Sequence, residues 1–446
     1  MTGTHEASRL GKFSWALFDW ANQPYFTVVT TFIFAPYFTS FVVGDPVTGQ
    51  AYWGYTQAAA GILVALLSPV FGSIADAGGP RKPWIVLFAG LCVIGTFSLW
   101  WAMPDHGPGL IWILVAIVIG TIGVEFSVVF NNAMLPSLTS RSSMGRLSGF
   151  GWGLGYLGGL IALFIVLLGF SLPEEPLFGI DKTLHEQDRL TGPLSAVWFL
   201  VFIIPMMLFT PDGKPTGKSR AEAVRGGLKQ LGGTLRSLGQ HRNMVYFLIA
   251  RMFYNDGILA VIGFSGIYAA GLFGWSTTSL GVFGILINVF AIAGSFAGGW
   301  LDDKLGSKPT IVISVLGLSF AAVGILSISD GEVLFGLPAA MPTPESGLFG
   351  SPAEQVFMVF GFVMGFFFGP AQAASRTLVA RLSPPDKVGE FFGLFALSGK
   401  ATAFVAPLAI GVATDLTGQQ RPAMIVILVL LMTGAALMSF VREPER

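Results

Sequence analysis

The sequence predicts an all-α integral membrane protein whose twelve transmembrane helices form two pseudo-symmetric bundles of six. Three observations predict this fold: a composition poor in charge, twelve apolar runs of membrane-spanning length, and motifs that recur in both halves. Of the 446 residues, 53% are hydrophobic and 11% are charged. A water-soluble domain carries about a quarter charged residues, so this chain has too little polar surface to cover a water-soluble particle of its size.

Each predicted span is an apolar run long enough to cross the hydrocarbon layer, which takes about twenty residues of helix. Short polar turns separate the runs. The N-terminus lacks a short apolar core followed by a small-residue cleavage site, so the first span is expected to be retained. The predicted spans are residues 14–41, 53–75, 84–103, 110–135, 146–170, 194–210, 244–271, 277–301, 309–328, 354–380, 389–413 and 422–441.

The longest polar segment, residues 211–242, lies between the sixth and seventh spans. We interpret it as part of a cytoplasmic basic connector at 211–243, between an N-terminal bundle at 1–210 and a C-terminal bundle at 244–446. It has no interleaved aromatic residues, so nucleic-acid binding is not expected. A basic segment beside spans indicates topology and is compatible with contact to anionic lipids. Its cations are Lys214, Lys218, Arg220, Arg225, Lys229, Arg236 and Arg242.

The distribution of Lys and Arg predicts the orientation. With twelve spans, 19 of the 25 cations fall on the face that carries the N-terminus and 3 on the opposite face. Cytoplasmic loops are enriched in Lys and Arg, so both termini are predicted to be cytoplasmic. A miscounted span would scramble this alternation, so the asymmetry also supports the number twelve.

Two motifs recur at matching places in the two halves. A Gly-x-x-x-Asp segment with nearby cations follows the second span and again the eighth span. The aspartate is Asp76 in the first copy and Asp302 in the second. The openings of the fifth and eleventh spans, Arg146-Leu-Ser-Gly and Glu390-Phe-Phe-Gly, also correspond. Two six-span halves of the same orientation are typical of the parallel repeats of major facilitator transporters, whose substrate site lies near the midplane between the halves.

The Gly-x-x-x-Asp segments have the composition of a gate. The glycine lets two helices approach, and the carboxylate can hold a neighbouring helix end or a cation in one state and release it in another. Each copy alone would also fit an ordinary charged turn. The two copies are aligned with Asp76 matched to Asp302. The predicted gating residues are Asp76, Arg81, Lys82, Asp302, Lys304 and Lys308.

Six ionisable side chains lie inside the predicted spans, away from the first two residues of each span. Each would cost about 2.5–3.5 kcal/mol near a helix centre if it faced lipid, so we expect them to face protein or a water-filled cavity. They lie on spans one, four, seven, ten and eleven, and spans three, six, nine and twelve carry none. The six are Asp19, Glu125, Arg251, Asp256, Arg376 and Lys400.

Amide side chains accompany these charges at helical spacing. Asn22 follows Asp19 by three residues, and Asn255 follows Arg251 by four, so each pair shares a helix face. The candidate residues for binding substrate or protons are Asp19, Asn22, Glu125, Asn132, Arg251, Asn255, Asp256, Gln372, Arg376 and Lys400.

Three carboxylates, three cations and several amides suit a zwitterion, whose two charged ends both need partners. They also suit proton coupling, since a carboxylate freed from its cation can take up a proton. Glu125, Asp256 and Lys400 lie deepest and are favoured for substrate or proton. The alternative is structural pairing that holds the halves in register, such as Asp256 with Lys400.

Several segments resemble the vacuole-effluxer-like family of the major facilitator superfamily, whose fungal members resemble vacuolar amino-acid exporters. The resemblance covers both halves and implies a transporter. Pro24 and Pro370 stand where family members have small residues, which predicts local kinks. The segments are WALFDWAN at 15–22, FNNAMLP at 130–136, GFGWGLGYLGG at 149–159, RMFYNDG at 251–257, GPAQAASR at 369–376 and EFFG at 390–393.

The leading functional hypothesis is secondary active transport of a small polar or zwitterionic solute, such as an amino acid, by alternating access with proton coupling. Export of drug-like amphipathic compounds is the second hypothesis. An integral membrane lipid-modifying enzyme is the third, but all four histidines lie outside the spans. No Walker loop is present, so an ATP-driven pump is not expected. We therefore expect no catalytic residues, metal or cofactor. We expect a monomer in the inner (plasma) membrane, with a small-molecule substrate, protons and membrane lipids as partners.

Overall fold

A computed structural model describes residues 6–104, 109–236, 238–343, 345–417 and 421–443. Almost all regular structure in these ranges is helical. The only sheet within them is the hairpin of β1 (Glu332–Val333) and β2 (Leu337–Pro338). The helices are α1 (Arg9–Pro24), α2 (Phe34–Tyr37), α3 (Pro46–Gly78), α4 (Lys82–Phe97), α5 (Leu110–Leu138), α6 (Met144–Val166), α7 (Glu186–Arg189), α8 (Thr191–Phe209), α9 (Arg220–Arg236), α10 (Arg242–Phe273), α11 (Thr277–Leu305), α12 (Ser307–Leu326), α13 (Pro352–Leu382), α14 (Val388–Lys400), α15 (Val405–Thr417) and α16 (Arg421–Leu437).

Eleven helical segments within the described ranges are long and apolar enough to cross a membrane. They coincide with the first eleven predicted spans. The twelfth predicted span is also helical, as α16 and the short 3-10 turn that follows it, Met438–Phe440. Residues 418–420, just before it, lie outside the described ranges. The prediction of an all-α membrane fold is confirmed, and the chain fits a twelve-helix arrangement.

The first span is not a uniform α-helix. After α1 the backbone forms wider π-helical turns over Tyr25–Phe32, and the helix breaks at Ile33, where φ is −125°. Two prolines, Pro24 and Pro36, remove backbone donors on either side of the break, and missing donors and π-bulges are common causes of kinks. The kink predicted at Pro24 therefore takes the form of a widened helix.

The eleventh span is interrupted, which the sequence did not predict. The helix α14 ends at Lys400, and α15 begins at Val405. Between them the backbone turns tightly, with Ala403 N–H donating to the Lys400 carbonyl oxygen at 3.3 Å and Val405 N–H to that of Thr402 at 2.7 Å. These are i→i+3 bonds in place of the α-helical i→i+4 pattern, so the helix changes its course at this point.

The chain forms two compact units. The first comprises Met1–Arg141, Leu154–Arg236 and Ser383–Leu397, and the second Ser142–Gly153, Ser237–Leu382 and Ser398–Arg446. Each unit thus includes the opening part of one span from the other sequence half. The predicted domain boundaries at 210 and 244 stay a prediction.

Each unit has an aromatic core between its helices. In the first unit, Phe88 of α4 stacks on Phe126 of α5, with ring centroids 4.6 Å apart. In the second, the Trp275 ring, just before α11, lies 5.3 Å from the Phe357 ring of α13. Burial of such rings, at about 25 cal/mol per Å² of apolar surface, fixes the helices that carry the polar residues described below.

Candidate functional site

Polar side chains in the second unit join α10 to α13 and α14. Arg251 Nη1 donates a hydrogen bond to Ser398 Oγ at 3.0 Å. Gln372 Nε2 donates to Asn255 Oδ1 at 3.2 Å. The structure thus brings together three of the predicted site residues, Arg251, Asn255 and Gln372, from two distant parts of the sequence.

Asp256, next to Asn255 on α10, is 3% exposed. Its Oδ1 is buried and has no hydrogen-bond partner among the residues that the structure describes. The hydroxyl oxygen of Thr402, in the interruption between α14 and α15, is likewise buried without a well-formed hydrogen bond, and the Thr402 side chain interacts with the Asp256 carboxylate. A buried polar atom without a partner costs about 1–3 kcal/mol, so this orphan oxygen requires an explanation.

The Arg251 guanidinium packs directly against Gly399, which has no side chain to occupy that space. A Cβ at Gly399 would lie 2.7 Å from Arg251 Nη1. The next residue, Lys400, is half-buried at the end of α14. The interruption of the eleventh span therefore lies directly beside the charged residues of α10.

The predicted site residues of the first unit lie on α1 and α5. Asp19 is 9% exposed on α1, whereas the Asn22 side chain turns back onto its own helix and donates to the Phe18 carbonyl oxygen at 2.9 Å. Glu125 is half-buried on α5, and Asn132 on the same helix is 8% exposed.

A hydrogen-bonded chain that the sequence did not indicate lies near these residues. The Tyr25 hydroxyl is 2.7 Å from Thr121 Oγ1, which in turn donates to Gln57 Oε1 at 3.2 Å. Thr121 is one helical turn before Glu125 on α5. Uncharged hydroxyls and amides leave no distinctive signal in a membrane sequence, so these residues were missed.

Arg376 lies one helical turn after Gln372 on α13, and its guanidinium binds Ser148. Its Nε donates to Ser148 Oγ at 2.9 Å and its Nη2 to the Ser148 carbonyl oxygen at 2.6 Å. Its guanidinium also lies 5.7 Å from the centroid of the Trp152 ring. Within the second unit, Arg376 therefore binds α13 to the start of α6.

Asp76, near the end of α3, caps the start of α14 within the first unit. Its two carboxylate oxygens accept hydrogen bonds from the backbone N–H groups of Gly389 and Glu390, both at 2.9 Å. It also accepts a bond from Arg81 Nη2 at 2.9 Å. The first N–H groups of a helix lack intrahelical partners and carry partial positive charge, so the carboxylate stabilises this helix end.

Glycine permits the helices to approach closely at this contact. A Cβ at Gly389 would lie 2.7 Å from the Gly72 carbonyl oxygen and 2.8 Å from Asp76 Oδ1. Any other residue would push α14 away from α3. We name this contact, formed by Gly72, Asp76, Gly389 and Glu390, the α3–α14 clasp.

The second unit contains an equivalent α11–α6 clasp, formed by Gly299, Asp303, Gly145 and Arg146. Asp303 accepts hydrogen bonds from Gly145 N–H at 2.9 Å and from Arg146 N–H at 3.2 Å, and it pairs with Arg146 Nε at 2.6 Å. A Cβ at Gly299 would lie 2.7 Å from the Gly145 carbonyl oxygen.

The clasps correct the register of the internal repeat. In structure, Asp76 corresponds to Asp303 and Gly72 to Gly299, one residue further along than the alignment of Asp76 with Asp302. Matching Ser68, Gly72 and Asp76 with the Ser-x-x-x-Gly-x-x-x-Asp spacing that ends at Asp303 would have found this register.

Asp302 binds a cation that the predicted set did not contain. It is 0% exposed and accepts hydrogen bonds from Arg381 Nη1 at 2.7 Å and from Ser307 Oγ at 2.9 Å. The same guanidinium nitrogen pairs with Glu443 Oε1 at 2.8 Å. Arg381 and Glu443 were absent from the predicted set.

The remaining predicted gating residues bind neighbouring helix ends. Lys82 Nζ donates to the Met207 carbonyl oxygen of α8 at 2.8 Å, and Lys308 Nζ donates to the Val441 carbonyl oxygen at 2.8 Å. Lys304 instead lies over the Trp300 ring, 3.9 Å from its centroid.

Two further carboxylates outside the predicted set, Asp212 and Glu443, cap the starts of α4 and α12. Asp212 accepts hydrogen bonds from the backbone N–H groups of Arg81 at 2.9 Å and Lys82 at 3.0 Å. Glu443 does the same for Ser307 at 2.8 Å and Lys308 at 2.9 Å. The sequence signal for these two caps was a carboxylate shortly after the sixth span and another shortly after the twelfth.

The residues that the structure describes include no group of three or more His, Cys, Asp or Glu side chains placed to hold a metal ion. The site consists of buried charges, amides and hydroxyls, which can bind a polar solute or hold a proton.

Comparison with known proteins gives the family. The family model of vacuole effluxer Atg22-like proteins matches residues 39–445. A Bacillus subtilis (strain 168) protein named as an uncharacterized MFS-type transporter, YxiO, is 28% identical over 435 residues, covering 96% of this chain and 94% of the relative. Autophagy-related protein 22 of Cryptococcus neoformans var. neoformans serotype D (strain JEC21 / ATCC MYA-565) is 28% identical over 293 residues, 64% of this chain. That match spans 48% of the fungal protein, so the chain aligns with about half of it.

Solved structures show the same fold. The major facilitator superfamily (MFS) transporter FucP in the outward conformation superposes with a TM-score of 0.64 at 16% identity, over 98% of this chain and 99% of FucP. The MFS proton:xylose symporter XylE bound to 6-bromo-6-deoxy-D-glucose gives a TM-score of 0.68 at 13% identity, over 97% of this chain and 96% of XylE. The chain therefore belongs to the vacuole effluxer Atg22-like family, and it is an integral, multi-pass membrane transporter of the major facilitator superfamily.

Proposed function

We propose that the protein is a proton-coupled secondary transporter of small zwitterionic solutes of the amino-acid class. The observation that carries the proposal is the buried α10 cluster of Arg251, Asn255 and Asp256, in which one Asp256 oxygen has no hydrogen-bond partner among the described residues. The family description as vacuole effluxers supports export as the direction of transport.

The cluster offers partners for both ends of a zwitterion. The guanidinium of Arg251 is matched to a carboxylate, because its planar fork donates parallel hydrogen bonds. Asp256 is matched to an ammonium group, which would supply the missing donor to Oδ1. Amides such as Asn255 then bind the uncharged parts of the solute.

Asp256 is also the proposed proton carrier. A buried carboxylate can be neutral when it faces apolar surroundings and ionised when a cation or water reaches it. A step that changes its access to water therefore changes its proton occupancy, which couples solute movement to a pH gradient.

We propose that the protein is a monomer in the plasma membrane, with both termini in the cytoplasm. We also propose that the two clasps act as gates on the cytoplasmic side. The support is chemical: Asp76 and Asp303 each hold a helix end through hydrogen bonds to two backbone N–H groups. Such contacts are strong enough to hold one state, yet they can be replaced by water in another.

The test is uptake of a panel of labelled amino acids by proteoliposomes, with and without an imposed pH gradient. Asp256→Asn is expected to weaken the apparent affinity by about thirtyfold or more, the lower end of the cost of removing one partner of a buried charge pair. It should also abolish the response to the pH gradient. Asp330→Asn is the matched control, because Asp330 is an exposed carboxylate.

Thermal unfolding separates a binding role from a structural one. Asparagine has nearly the shape of aspartate and keeps a side-chain oxygen that can accept a hydrogen bond from Thr402, so Asp256→Asn should leave the melting temperature close to that of the parent. Unchanged transport and pH dependence in Asp256→Asn would refute the assignment. Movement of amphipathic dyes but of no amino acid would favour the drug-exporter hypothesis, and modification of a lipid without transport would favour the enzyme.

A further inference from the structure

The helix α9, within the basic connector, packs along one face against the rest of the first unit. Its buried residues are Ala223, Gly227, Leu231 and Thr234, spaced by three or four residues as one stripe of a helix requires. A Cβ at Gly227 would lie 2.7 Å from the backbone nitrogen of Ile74, near the end of α3. This contact holds α9 beside the end of a membrane-spanning helix.

The same face reaches the start of α14. Gln230 Nε2 donates to Glu390 Oε2 at 3.0 Å, and Lys387 Nζ donates to Thr234 Oγ1 at 3.0 Å. Glu390 is fully buried and belongs to the α3–α14 clasp. The connector helix is therefore in direct contact with the helix end that Asp76 caps.

The outer surface of α9 carries an apolar row beside a basic row. Val224, Leu228 and Leu235 are 41%, 48% and 49% exposed. At 100° per residue these three side chains project between the buried stripe and the exposed cations. The exposed cations on the next face are Arg225, Lys229 and Arg236.

We propose that the outer surface of α9 is a binding site for anionic phospholipids. Apolar side chains beside a basic face are the pattern of a helix that lies in the membrane interface. The apolar row would enter the boundary between headgroups and acyl chains, and the cations would bind lipid phosphates. Charge complementarity selects anionic over zwitterionic lipid, and the position beside α3 places the helix at the bilayer surface.

This site would link lipid composition to the α3–α14 clasp. Lipid bound on the outer face of α9 holds the helix in place. The hydrogen bond from Gln230, on the inner face of α9, to Glu390 is thereby maintained. Anionic lipid thereby favours the state in which Asp76 caps α14. Lipid binding itself is independent of which solute is transported, so its test needs no substrate.

The test places a fluorescent label at Val224→Cys, in the full chain reconstituted in phosphatidylcholine vesicles. The one native cysteine, Cys92, is buried and is replaced by alanine. Brominated phosphatidylglycerol or brominated phosphatidylcholine is then added at equal mole fraction as quencher. We expect stronger quenching by the anionic lipid, and high salt should reduce the difference because it screens exposed charges.

Charge-neutralised variants decide the outcome. Each cation near the surface contributes about 1 kcal/mol, about fivefold in preference, so Arg225→Gln with Lys229→Gln should lower the selectivity by about thirtyfold. Lys214→Gln with Lys218→Gln, an equal charge change in the same connector before the helix, should leave it unchanged. Equal quenching by both lipids, or equal effects of both double variants, would overturn the proposal. Absence of quenching by either lipid would also overturn it, because the apolar row would then not reach the acyl chains.

Discussion

Replacing Asp76 with alanine removes the acceptor of two backbone N–H groups at the start of α14. Both hydrogen bonds are 2.9 Å long, and both come from N–H groups that have no partner within their own helix turn. Loss of a helix cap costs about 0.5–2 kcal/mol, and loss of the favourable charge at a helix N-terminus costs about 0.3–1 kcal/mol. The local opening free energy at Gly389 and Glu390 should therefore fall by about 1–3 kcal/mol.

Hydrogen exchange measures this change directly. A loss of about 1–3 kcal/mol accelerates exchange of the amides at 389 and 390 by about fivefold to 150-fold. Asp303→Ala provides the reciprocal control, since it should accelerate exchange at Gly145 and Arg146 and leave 389 and 390 unaffected. If Asp76→Ala left both protected amides unchanged, or if each variant affected both helix ends equally, the capping role would be refuted.

Three further predictions follow from contacts outside the clasps. Arg381→Ala should lower the free energy of unfolding by about 3–5 kcal/mol, because the buried Asp302 carboxylate loses its cation; thermal unfolding that matches the parent protein would contradict this. Trp275→Phe should lower the melting temperature, because the indole N–H donates at 2.7 Å to a buried carboxylate on α13; an unchanged melting temperature would show that this bond adds nothing. The hydrogen bond from Lys12 lowers the pKa of Glu6 below its ordinary 4.5, so the contact of Glu6 with Ser140 N–H should persist above pH 4.5 and be lost as pH falls through the lowered pKa. Hydrogen exchange at the Ser140 amide should be slower in the parent protein than in Glu6→Gln above pH 4.5, and this difference in rate should disappear in that acidic range. A difference that does not change with pH would refute the linkage.

The membrane spans could be predicted because insertion is a local property. Whether a window of about twenty residues crosses the hydrocarbon depends on its own side chains, so the low charge content and the apolar runs predicted the helices. The first span illustrates the limit: Pro24 predicted a kink, but the π-helical turns and the break at Ile33 depend on how the neighbouring helices satisfy the backbone.

The interruption of the eleventh span had no comparable local signal. Residues 400–404 contain no proline, and the apolar run continues through them. Packing of Gly399 against the Arg251 side chain is a long-range contact, which a window of sequence does not contain. The orphaned oxygen of Asp256 beside this interruption was hidden for the same reason.

The sequence by itself determined that this protein lies in a membrane, that it has two repeated halves, and which few ionised groups the spans contain. Tertiary structure alone decided the partners of those groups. Asp302 and Asp303 are adjacent and chemically identical, yet a step of one residue rotates a side chain by about 100° around a helix. Asp302 therefore accepts a hydrogen bond from Arg381 Nη1 at 2.7 Å, whereas Asp303 binds the start of α6 and lies 3.9 Å from Arg381 Nη2. Contacts between segments far apart in the chain set this difference.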